Sequence, residues 1–302
     1  MVALSGAAPA LVTPLTADGE VHADDVGALI RRALGDGASG ILVAGSTGEG
    51  ALLEPAQREQ IVRVARAAVD APAPTSGTAP VLIAGACGAT VAELDADVAR
   101  LAEAGADLVL VLPPTTYPLS VEELVDLHVG VAERAGVPTL AYHIPQYTGS
   151  PLTADAVRDL ASHPRIVGMK DSSPDAERRA AFIAAARSAT GEFAVFTGHA
   201  PTLGDALTAG ADGSITAIAN VRMRQVVTLH DAVATGDDAA ARAAQTTLSR
   251  TSEALHAVGS SMPATLKAAL QLDGTIAERW CRPPLRSVPG GRLDHVRTAT
   301  MR

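Results

Sequence analysis

The stretch that decides the fold is Gly105-Ala106-Asp107-Leu108-Val109-Leu110-Val111-Leu112. Its glycine is typical of the left-handed residue that ends a helix, and the apolar run that follows has the length and composition of a buried parallel strand. The same helix ending recurs before two other apolar runs, as Gly37-Ala38-Ser39 and Gly210-Ala211-Asp212. A repeated junction of this kind predicts a repeating unit of one strand and one helix.

Apolar runs alternate with alanine-rich amphipathic stretches along most of the chain. Residues 24–34 show the helical i, i+3, i+4, i+7 spacing, and Ser120 and Thr153 are typical helix N-caps. Strands are expected at residues 8–13, 40–44, 81–86, 108–112, 139–143, 166–170, 194–197 and 213–217. Eight alternations predict a (β/α)8 TIM barrel over residues 1–228. An open doubly wound sheet is disfavoured, because Thr13-Pro14-Leu15-Thr16 is not a glycine-rich dinucleotide turn.

Two segments fall outside this repeat. Residues 71–80 contain three prolines and cannot continue a helix, so they predict a surface loop before the third strand. Residues 229–302 predict a C-terminal helical appendage, with helices at 238–258 and 263–271 and a proline-rich tail. We expect this appendage to cover the barrel flank or to mediate assembly rather than to take part in catalysis.

Composition excludes several classes of function. The 302 residues are 47% hydrophobic but only 2% aromatic, which suits alanine-rich helices packed on aliphatic strands. A net charge of −9 argues against nucleic-acid partners and against anionic membrane surfaces. Two cysteines do not make a disulfide framework, and the chain shows neither a leader pattern nor a long apolar segment. We therefore expect a soluble cytoplasmic protein.

Lys170 is the most informative residue, because it ends the buried run Arg165-Ile166-Val167-Gly168-Met169-Lys170. Burying an ammonium group is costly, so such a lysine is either paired with a carboxylate or used as a neutral amine that attacks a carbonyl. The first interpretation pairs Lys170 with the adjacent Asp171. The second makes Lys170 a nucleophile at the carboxyl end of a barrel strand, where barrel active sites lie.

The other strand ends supply groups that suit the second interpretation. The turn Gly45-Ser46-Thr47-Gly48-Glu49-Gly50 either caps a helix through Ser46 or Thr47, or cradles a carboxylate with backbone N–H groups and hydroxyls. Tyr142 follows the fifth strand, where its phenol is either a core group or a proton shuttle for imine chemistry at Lys170. Gly198-His199 follows the seventh strand.

These motifs together resemble the dihydrodipicolinate synthase and N-acetylneuraminate lyase family. The resemblance rests on Gly45-Ser46-Thr47-Gly48-Glu49, on Tyr142-His143-Ile144-Pro145 with Thr148-Gly149, and on Gly168-Met169-Lys170-Asp171-Ser172. It covers essentially the whole chain, with Lys170 28 positions after Tyr142. It implies a class I aldolase that needs no metal or organic cofactor and assembles as a homotetramer, a dimer of dimers.

The same resemblance implies roles for individual residues. Lys170 would form a Schiff base with pyruvate or another 2-oxo acid, and Tyr142 would transfer protons. Ser46 and Thr47 would bind the carboxylate and extend the proton relay. The backbones of Gly198 and Ile215 would line the pocket.

Departures from the family pattern leave the second substrate open. Dihydrodipicolinate synthases carry an arginine for the aldehyde's carboxylate where this chain has Tyr147, and a phenol cannot make a bidentate grip. Sialic acid lyases carry acidic residues near the position of His199. A relay tyrosine usually reaches the neighbouring subunit from the loop after strand 4, where this chain aligns Thr116, with Tyr117 one place later.

Residues 144–172 look most like the 4-hydroxy-2-oxoglutarate aldolase branch. The leading hypothesis is therefore reversible C–C cleavage of a 4-hydroxy-2-oxo acid. The alternatives are 4-hydroxy-tetrahydrodipicolinate synthase, which joins pyruvate and aspartate semialdehyde, a 2-oxo acid hydro-lyase, and a catalytically silent scaffold. Candidate contacts to the second substrate are His143, Gln146, Tyr147, His199 and Arg222.

Overall fold

Eight parallel strands form a barrel in the computed structural model, which describes residues 4–71 and 79–300. The strands are β1 (Gly6–Pro9), β2 (Gly40–Val43), β3 (Val81–Ala86), β4 (Leu108–Val111), β5 (Thr139–His143), β6 (Ile166–Asp171), β7 (Ala194–Thr197) and β8 (Gly213–Thr216). They pair in the order β1-β8-β7-β6-β5-β4-β3-β2, and a bridge between Ala10 and Leu42 closes the seam between β1 and β2. The predicted (β/α)8 barrel is confirmed.

Twelve helices surround or extend this barrel within the described ranges. They are α1 (Ala23–Gly35), α2 (Pro55–Val69), α3 (Val91–Glu103), α4 (Val121–Arg134), α5 (Pro145–Thr148), α6 (Ala154–Ala161), α7 (Ala176–Ser188), α8 (Leu203–Thr208), α9 (Ala219–Thr235), α10 (Asp238–Ala257), α11 (Met262–Leu272) and α12 (Leu293–Thr300). Each of these helices is too short or too polar to span a bilayer.

The local signals that predicted the repeat operate as expected. Gly37, Gly105 and Gly210 have φ values of +96°, +107° and +95°, which glycine adopts without steric cost. The Ser120 side chain accepts a hydrogen bond from the Glu123 N–H and forms a capping box with it at the start of α4. These contacts fix where each helix ends and therefore where each strand begins.

The first strand is the main correction to the predicted boundaries. It was expected at 8–13 but ends at Pro9. The N–H groups of Ala10 and Leu11 still donate to the carbonyls of Thr216 and Leu42, and from Val12 onward the chain leaves the parallel ladder. The N–H of Val12 donates to the side-chain oxygen of Asn220, and the Asn220 amide donates back to the carbonyl of Ala10. A side chain from α9 thus replaces a strand partner at this end of β1.

Buried side chains form layers on both sides of the barrel wall. Inside the barrel, Leu42, Leu110, Phe196 and Ile215 pack together with Tyr142. Larger clusters fill the space between the strands and the outer helices. The interior is packed over most of its height, so space for a small molecule remains at the end of the strands.

The C-terminal helices pack on the barrel and form an apolar cluster of their own, which includes Val258, Ala268 and Val296. Helix α12 was not predicted, and α9 runs through the position where the sequence placed the end of the barrel domain. Of the loop predicted at 71–80, residues 72–78 lie outside the described residues.

Candidate active site

A cavity of about 460 Å³ opens where the barrel strands end. Its lining includes Ser46, Thr47, Tyr142 and Lys170, which we call the lysine wall. It also includes His199, Ser252, His256 and Ser261, which we call the histidine wall. Gln146, Tyr147 and Gly198 line the cavity as well. The structure therefore brings the principal predicted residues to one place.

Strand register positions Lys170 beside Tyr142. The two residues are direct partners in the parallel pairing of β5 and β6, so their side chains leave the sheet on the same face. The Lys170 amine lies over the Tyr142 ring, 4.7 Å from its centroid, and the residue is only 4% exposed. Within the described ranges, no carboxylate lies within 4.0 Å of this amine.

Asp171 points to the opposite face, so the interpretation that pairs it with Lys170 is wrong. Its carboxylate lies 2.8 Å from His143 Nδ1 and accepts a hydrogen bond from Arg179 Nε at 3.0 Å. Burial alone would raise the pKa of Asp171. The hydrogen bonds from His143 and the Ser173 backbone and the charge of Arg179 outweigh burial and lower that pKa. Alternation along β6 thus separates the amine from its neighbouring carboxylate.

Glycine is required at position 198 because the backbone passes close to the lysine. The Gly198 N–H donates to the Asp171 carbonyl at 2.6 Å. A Cβ at this position would lie 2.1 Å from Ser172 Oγ and 2.9 Å from Lys170 Cε. Any larger residue would therefore push against the carbon that carries the amine.

The glycine-rich turn after β2 is strained and tightly packed. Ala44 and Glu49 both have positive φ, 53° and 59°, and a Cβ on Gly50 would lie 1.8 Å from the Ala44 carbonyl oxygen. Neither Ser46 nor Thr47 caps α2, whose N-cap is Glu54. Both residues line the cavity instead, so the capping interpretation is wrong and the carboxylate-cradle interpretation stays a prediction.

A buried ion pair anchors this turn from the C-terminal helices. Glu49 pairs with Lys267 of α11, and both side chains are fully buried. The second Glu49 oxygen accepts from the Arg282 N–H at 2.6 Å, while Lys267 donates to the Trp280 carbonyl at 2.8 Å. The loop that carries Ser46 and Thr47 is therefore fixed by residues more than 200 positions away.

Other predicted residues lie elsewhere. Ile215 is buried in the barrel interior and is not part of the cavity lining. His143 ends β5, and its side chain is buried with the ring edge-on to Phe182. Thr116 lines a separate cavity with Arg58 and Cys87. Tyr117 is 75% exposed, and Arg222 on α9 lines a different cavity.

Sequence reasoning missed the contribution of the C-terminal helices. Ser252 and His256 lie on α10, and Ser261 and Met262 lie at the start of α11, yet all four line the cavity. The appendage therefore contributes to the cavity as well as packing on the barrel, and the expectation that it takes no part in catalysis stays a prediction. No motif marks these residues, because they reach the cavity through packing of distant helices.

The charge in the cavity is locally positive although the protein is acidic. Of the described residues, Lys170 is the only lysine or arginine in the lining, and no aspartate or glutamate lines it. Nowhere in the described residues do three or more His, Cys, Asp or Glu side chains converge as metal ligands would. The cavity can accept one small anionic group near Lys170 and offers neutral polar groups elsewhere.

The chain matches the model of the dihydrodipicolinate synthetase family over residues 3–300. It is 35% identical over 296 residues to an uncharacterized DapA-like lyase of Halobacterium salinarum, covering 98% of this chain and 91% of that one. It is also 35% identical over 249 residues to the 4-hydroxy-tetrahydrodipicolinate synthase of Xanthomonas campestris pv. campestris, covering 82% and 79%.

Solved structures show the same similarity. A prophage protein of the dihydrodipicolinic acid synthase family from E. coli K12, solved in complex with pyruvate, superposes with a TM-score of 0.89 at 27% identity. The match covers 98% of this chain and 97% of that one. The similarity therefore extends over barrel and C-terminal helices alike.

Proposed function

Because the chain belongs to the dihydrodipicolinate synthetase family and is a lyase, we propose that it cleaves and forms C–C bonds through a Schiff base between Lys170 and a 2-oxo acid. One observation carries the proposal. Lys170 presents a buried amine to a cavity that also contains Ser46, Thr47 and Tyr142, and no carboxylate of the described residues pairs with it. Imine formation needs an amine nucleophile that can reach a bound carbonyl, and this placement supplies one.

In the cleavage direction, the Lys170 nitrogen attacks C2 of a 4-hydroxy-2-oxo acid, and the carbinolamine loses water to give a protonated imine. A base takes the proton of the C4 hydroxyl while the C3–C4 electrons move into the imine. An aldehyde leaves, and the enamine that remains takes a proton at C3. Water then hydrolyses the imine, releases pyruvate and restores the amine. Tyr142 is the proposed proton carrier for these transfers.

The carboxylate of the 2-oxo acid is assigned to the turn after β2. Ser46 and Thr47 supply hydroxyls there, and the anchored, strained backbone keeps them in place without rearrangement during the reaction. The positive charge of the protonated imine adds an attractive partner for the same carboxylate. The two hydroxyls and the charge of the imine together allow an acidic protein to bind an anionic substrate.

The resemblance of residues 144–172 to the 4-hydroxy-2-oxoglutarate aldolase branch supports a 4-hydroxy-2-oxo acid as the substrate. The alternative is condensation of pyruvate with aspartate semialdehyde, the activity named for several relatives. Among the described residues the cavity lining holds no guanidinium for a second carboxylate, which speaks against that alternative and equally against a dicarboxylate such as 4-hydroxy-2-oxoglutarate. Assaying both reactions side by side decides between them.

Borohydride reduction in the presence of pyruvate tests the Schiff base directly. The sequence contains only two lysines, Lys170 and Lys267, and Lys267 is paired with Glu49. We expect intact mass to rise by one reduced pyruvate adduct, and peptide mapping to place it on Lys170. The Lys170→Ala variant should give no adduct while retaining its far-UV circular dichroism. An adduct that persists in this variant would refute the assignment.

Two expectations about the whole protein belong to the same proposal. A homotetramer and a cytoplasmic location are inferred from the family resemblance and the composition. Sedimentation velocity at micromolar concentration tests the first, and fractionation of the native host tests the second.

A further inference from the structure

The loop after β7, residues 198–204, forms the part of the cavity lining that lies against Lys170. Pairing between β6 and β7 ends at Asp171 and Thr197, so Gly198 is the first residue beyond the paired strands. A carbon added to Gly198 would lie 2.9 Å from Lys170 Cε, which shows how closely the backbone approaches the lysine. The position of this loop therefore determines the space around the carbon that carries the amine.

The start of α8, which follows this loop, is capped from outside the helix. Thr202 occupies the N-cap position, yet in the described part of the chain its side chain makes no capping hydrogen bond. Its hydroxyl accepts a hydrogen bond from Arg179 Nη1 at 2.8 Å and lies 2.9 Å from His199 Nδ1. The first N–H groups of a helix have no partner within the helix, so a group from elsewhere has to meet them.

Gln245 on α10 supplies that group and holds the loop as well. Its side-chain oxygen accepts a hydrogen bond from the Gly204 N–H at 2.7 Å. Its side-chain nitrogen donates to the carbonyls of Ala200 and Pro201, each at 3.0 Å, and both of these residues line the cavity. A further contact, to Ser249 Oγ at 2.9 Å, stays within α10. One side chain of the C-terminal appendage thus contacts three backbone groups of the loop.

Arg179 on α7 holds the same loop from the barrel side. Its side chain is buried, and Nε donates to the Asp171 carboxylate at 3.0 Å. One terminal nitrogen donates to Thr202 and the other to the Ser173 carbonyl. The loop is therefore tied to β6 and α7 on one side and to α10 on the other.

We propose that Gln245 is a positioning residue for imine formation, because it holds the loop after β7 in the place where Gly198 packs against Lys170. This inference rests on the proposed function. Without the Gln245 amide, three backbone groups would have to find water instead, and the loop would rely on its ties to Arg179 and β6. A less fixed loop lets the lysine adopt more rotamers, and a smaller share of them directs the amine at the bound carbonyl carbon. Gln245 thus acts on the reaction through the backbone of the loop.

The rate of pyruvate trapping on Lys170 tests this inference. Protein and pyruvate are mixed for set times at several pyruvate concentrations, quenched with borohydride and analysed by intact mass. Gln245→Met removes the amide at nearly constant volume, and we expect the limiting rate at high pyruvate to fall about tenfold. The half-saturating concentration should change less than about threefold, because Ser46 and Thr47 lie on a turn that is anchored separately through Glu49.

A second variant and a matched control isolate the hydrogen bonds. Gln245→Glu keeps an acceptor for the Gly204 N–H but turns an oxygen toward the Ala200 and Pro201 carbonyls, so the limiting rate should again fall about tenfold or more. A wild-type limiting rate in this variant would show that the bonds to the two carbonyls do not hold the loop.

Gln271→Met is the control, because this glutamine of α11 makes the same kinds of contact with a segment remote from the cavity. Its nitrogen donates to the Ala277 carbonyl at 3.0 Å, and its oxygen accepts from Arg279 Nη1 at 2.6 Å. We expect both trapping constants of this variant to match those of the unaltered protein. An equal loss of rate in Gln271→Met would refute a specific role for Gln245.

The final yield of adduct separates positioning from folding. A partly unfolded variant gives a smaller yield at an unchanged rate, whereas a displaced lysine gives a full yield at a lower rate. A wild-type limiting rate in Gln245→Met, or a loss confined to the yield, would refute the positioning role. If the unaltered protein forms no adduct, the proposed function fails instead.

Discussion

Lys170 and His256 face one cavity, but the structure supports them in different ways. Lys170 lies on a strand, is 4% exposed, and has its position set by register with Tyr142. His256 lies on α10 near the protein surface and is held by a single hydrogen bond within its own helix. The lysine wall is part of the barrel, whereas the histidine wall is added to it by loops and C-terminal helices.

This difference suggests how the family scaffold can keep one half of a reaction and change the other. A group positioned by strand pairing cannot move without disturbing the barrel. A group on a packed helix can be exchanged at little cost to stability. The four predictions below test how far the two walls are independent, in order of decreasing expected effect.

Breaking the buried ion pair between Glu49 and Lys267 should cause the largest loss of stability. Lys267→Met leaves Glu49 buried without its partner and should lower the free energy of unfolding by about 3 to 5 kcal/mol. Urea denaturation measures this loss. Lys267→Met combined with Glu49→Gln removes the stranded charge and should recover part of it. Arg63→Ala breaks an exposed pair with Glu59 and should cost less than about 1 kcal/mol. A similar loss of stability in Lys267→Met and Arg63→Ala would mean that burial does not make the Glu49–Lys267 pair more important than an exposed pair.

Lowering the pH should reduce the free energy of unfolding, because buried histidines outside the cavity resist protonation in the folded state. Burial lowers the pKa of His128 from its ordinary 6.5 to about 4. Between those values the unfolded chain binds a proton that the folded chain does not, so stability falls as pH decreases from about 6.5 to about 4. Above 6.5 the residue makes no contribution. At about 1.4 kcal/mol per pH unit, the total is on the order of 3 kcal/mol.

His128→Leu should therefore flatten the decline of stability between pH 6.5 and 4.5, as measured by denaturant titrations at several pH values. His230 has a pKa lowered to about 4 by burial as well, so part of the decline should remain. His295→Leu is the matched control, because this side chain is exposed and should leave the slope unaltered. An unchanged slope in His128→Leu would show that the residue does not titrate as burial requires. Any pH dependence of activity is best measured above pH 6.5, where His128 does not affect stability.

Gly198 lies against Ser172 and Lys170, so its substitution tests how tightly the lysine is packed. Gly198→Ala places a methyl group 2.1 Å from Ser172 Oγ and 2.9 Å from Lys170 Cε and should displace the amine. We expect the rate of pyruvate trapping to fall about 100-fold, equivalent to about 2.7 kcal/mol, while thermal stability changes little. Gly35→Ala, at the end of α1 with no atom within 4 Å of the added carbon, should have no effect on trapping. Unimpaired trapping in Gly198→Ala would mean that the lysine is less constrained than its packing indicates.

The same contrast explains what the sequence could predict. The bounds of β3, β5 and β7 were predicted to the residue, because each is a short run rich in apolar residues that is bounded by residues breaking the apolar pattern. Lys170 and Tyr142 could be paired because both lie on neighbouring strands of known order. Ser252 and His256 could not be identified, since a helix periodicity shows which residues face a partner but not which partner. The relay position at Thr116 or Tyr117 stays a prediction, because the family pattern sends this residue into the site of the neighbouring subunit.

Tyr147 should give the smallest effect, although the family pattern places the aldehyde-binding residue at its position. Its side chain lines the cavity but is 67% exposed, so a hydrogen bond from its hydroxyl competes with water. Tyr147→Phe should therefore change kcat/KM for 4-hydroxy-2-oxopentanoate and for 4-hydroxy-2-oxoglutarate by less than about threefold. Tyr147→Arg should act only on 4-hydroxy-2-oxoglutarate, whose kcat/KM should rise because a guanidinium supplies a bidentate partner that the described lining residues lack. If Tyr147→Phe abolished cleavage of every substrate, the phenol would belong to the lysine wall, and the boundary between the two walls would have to be redrawn.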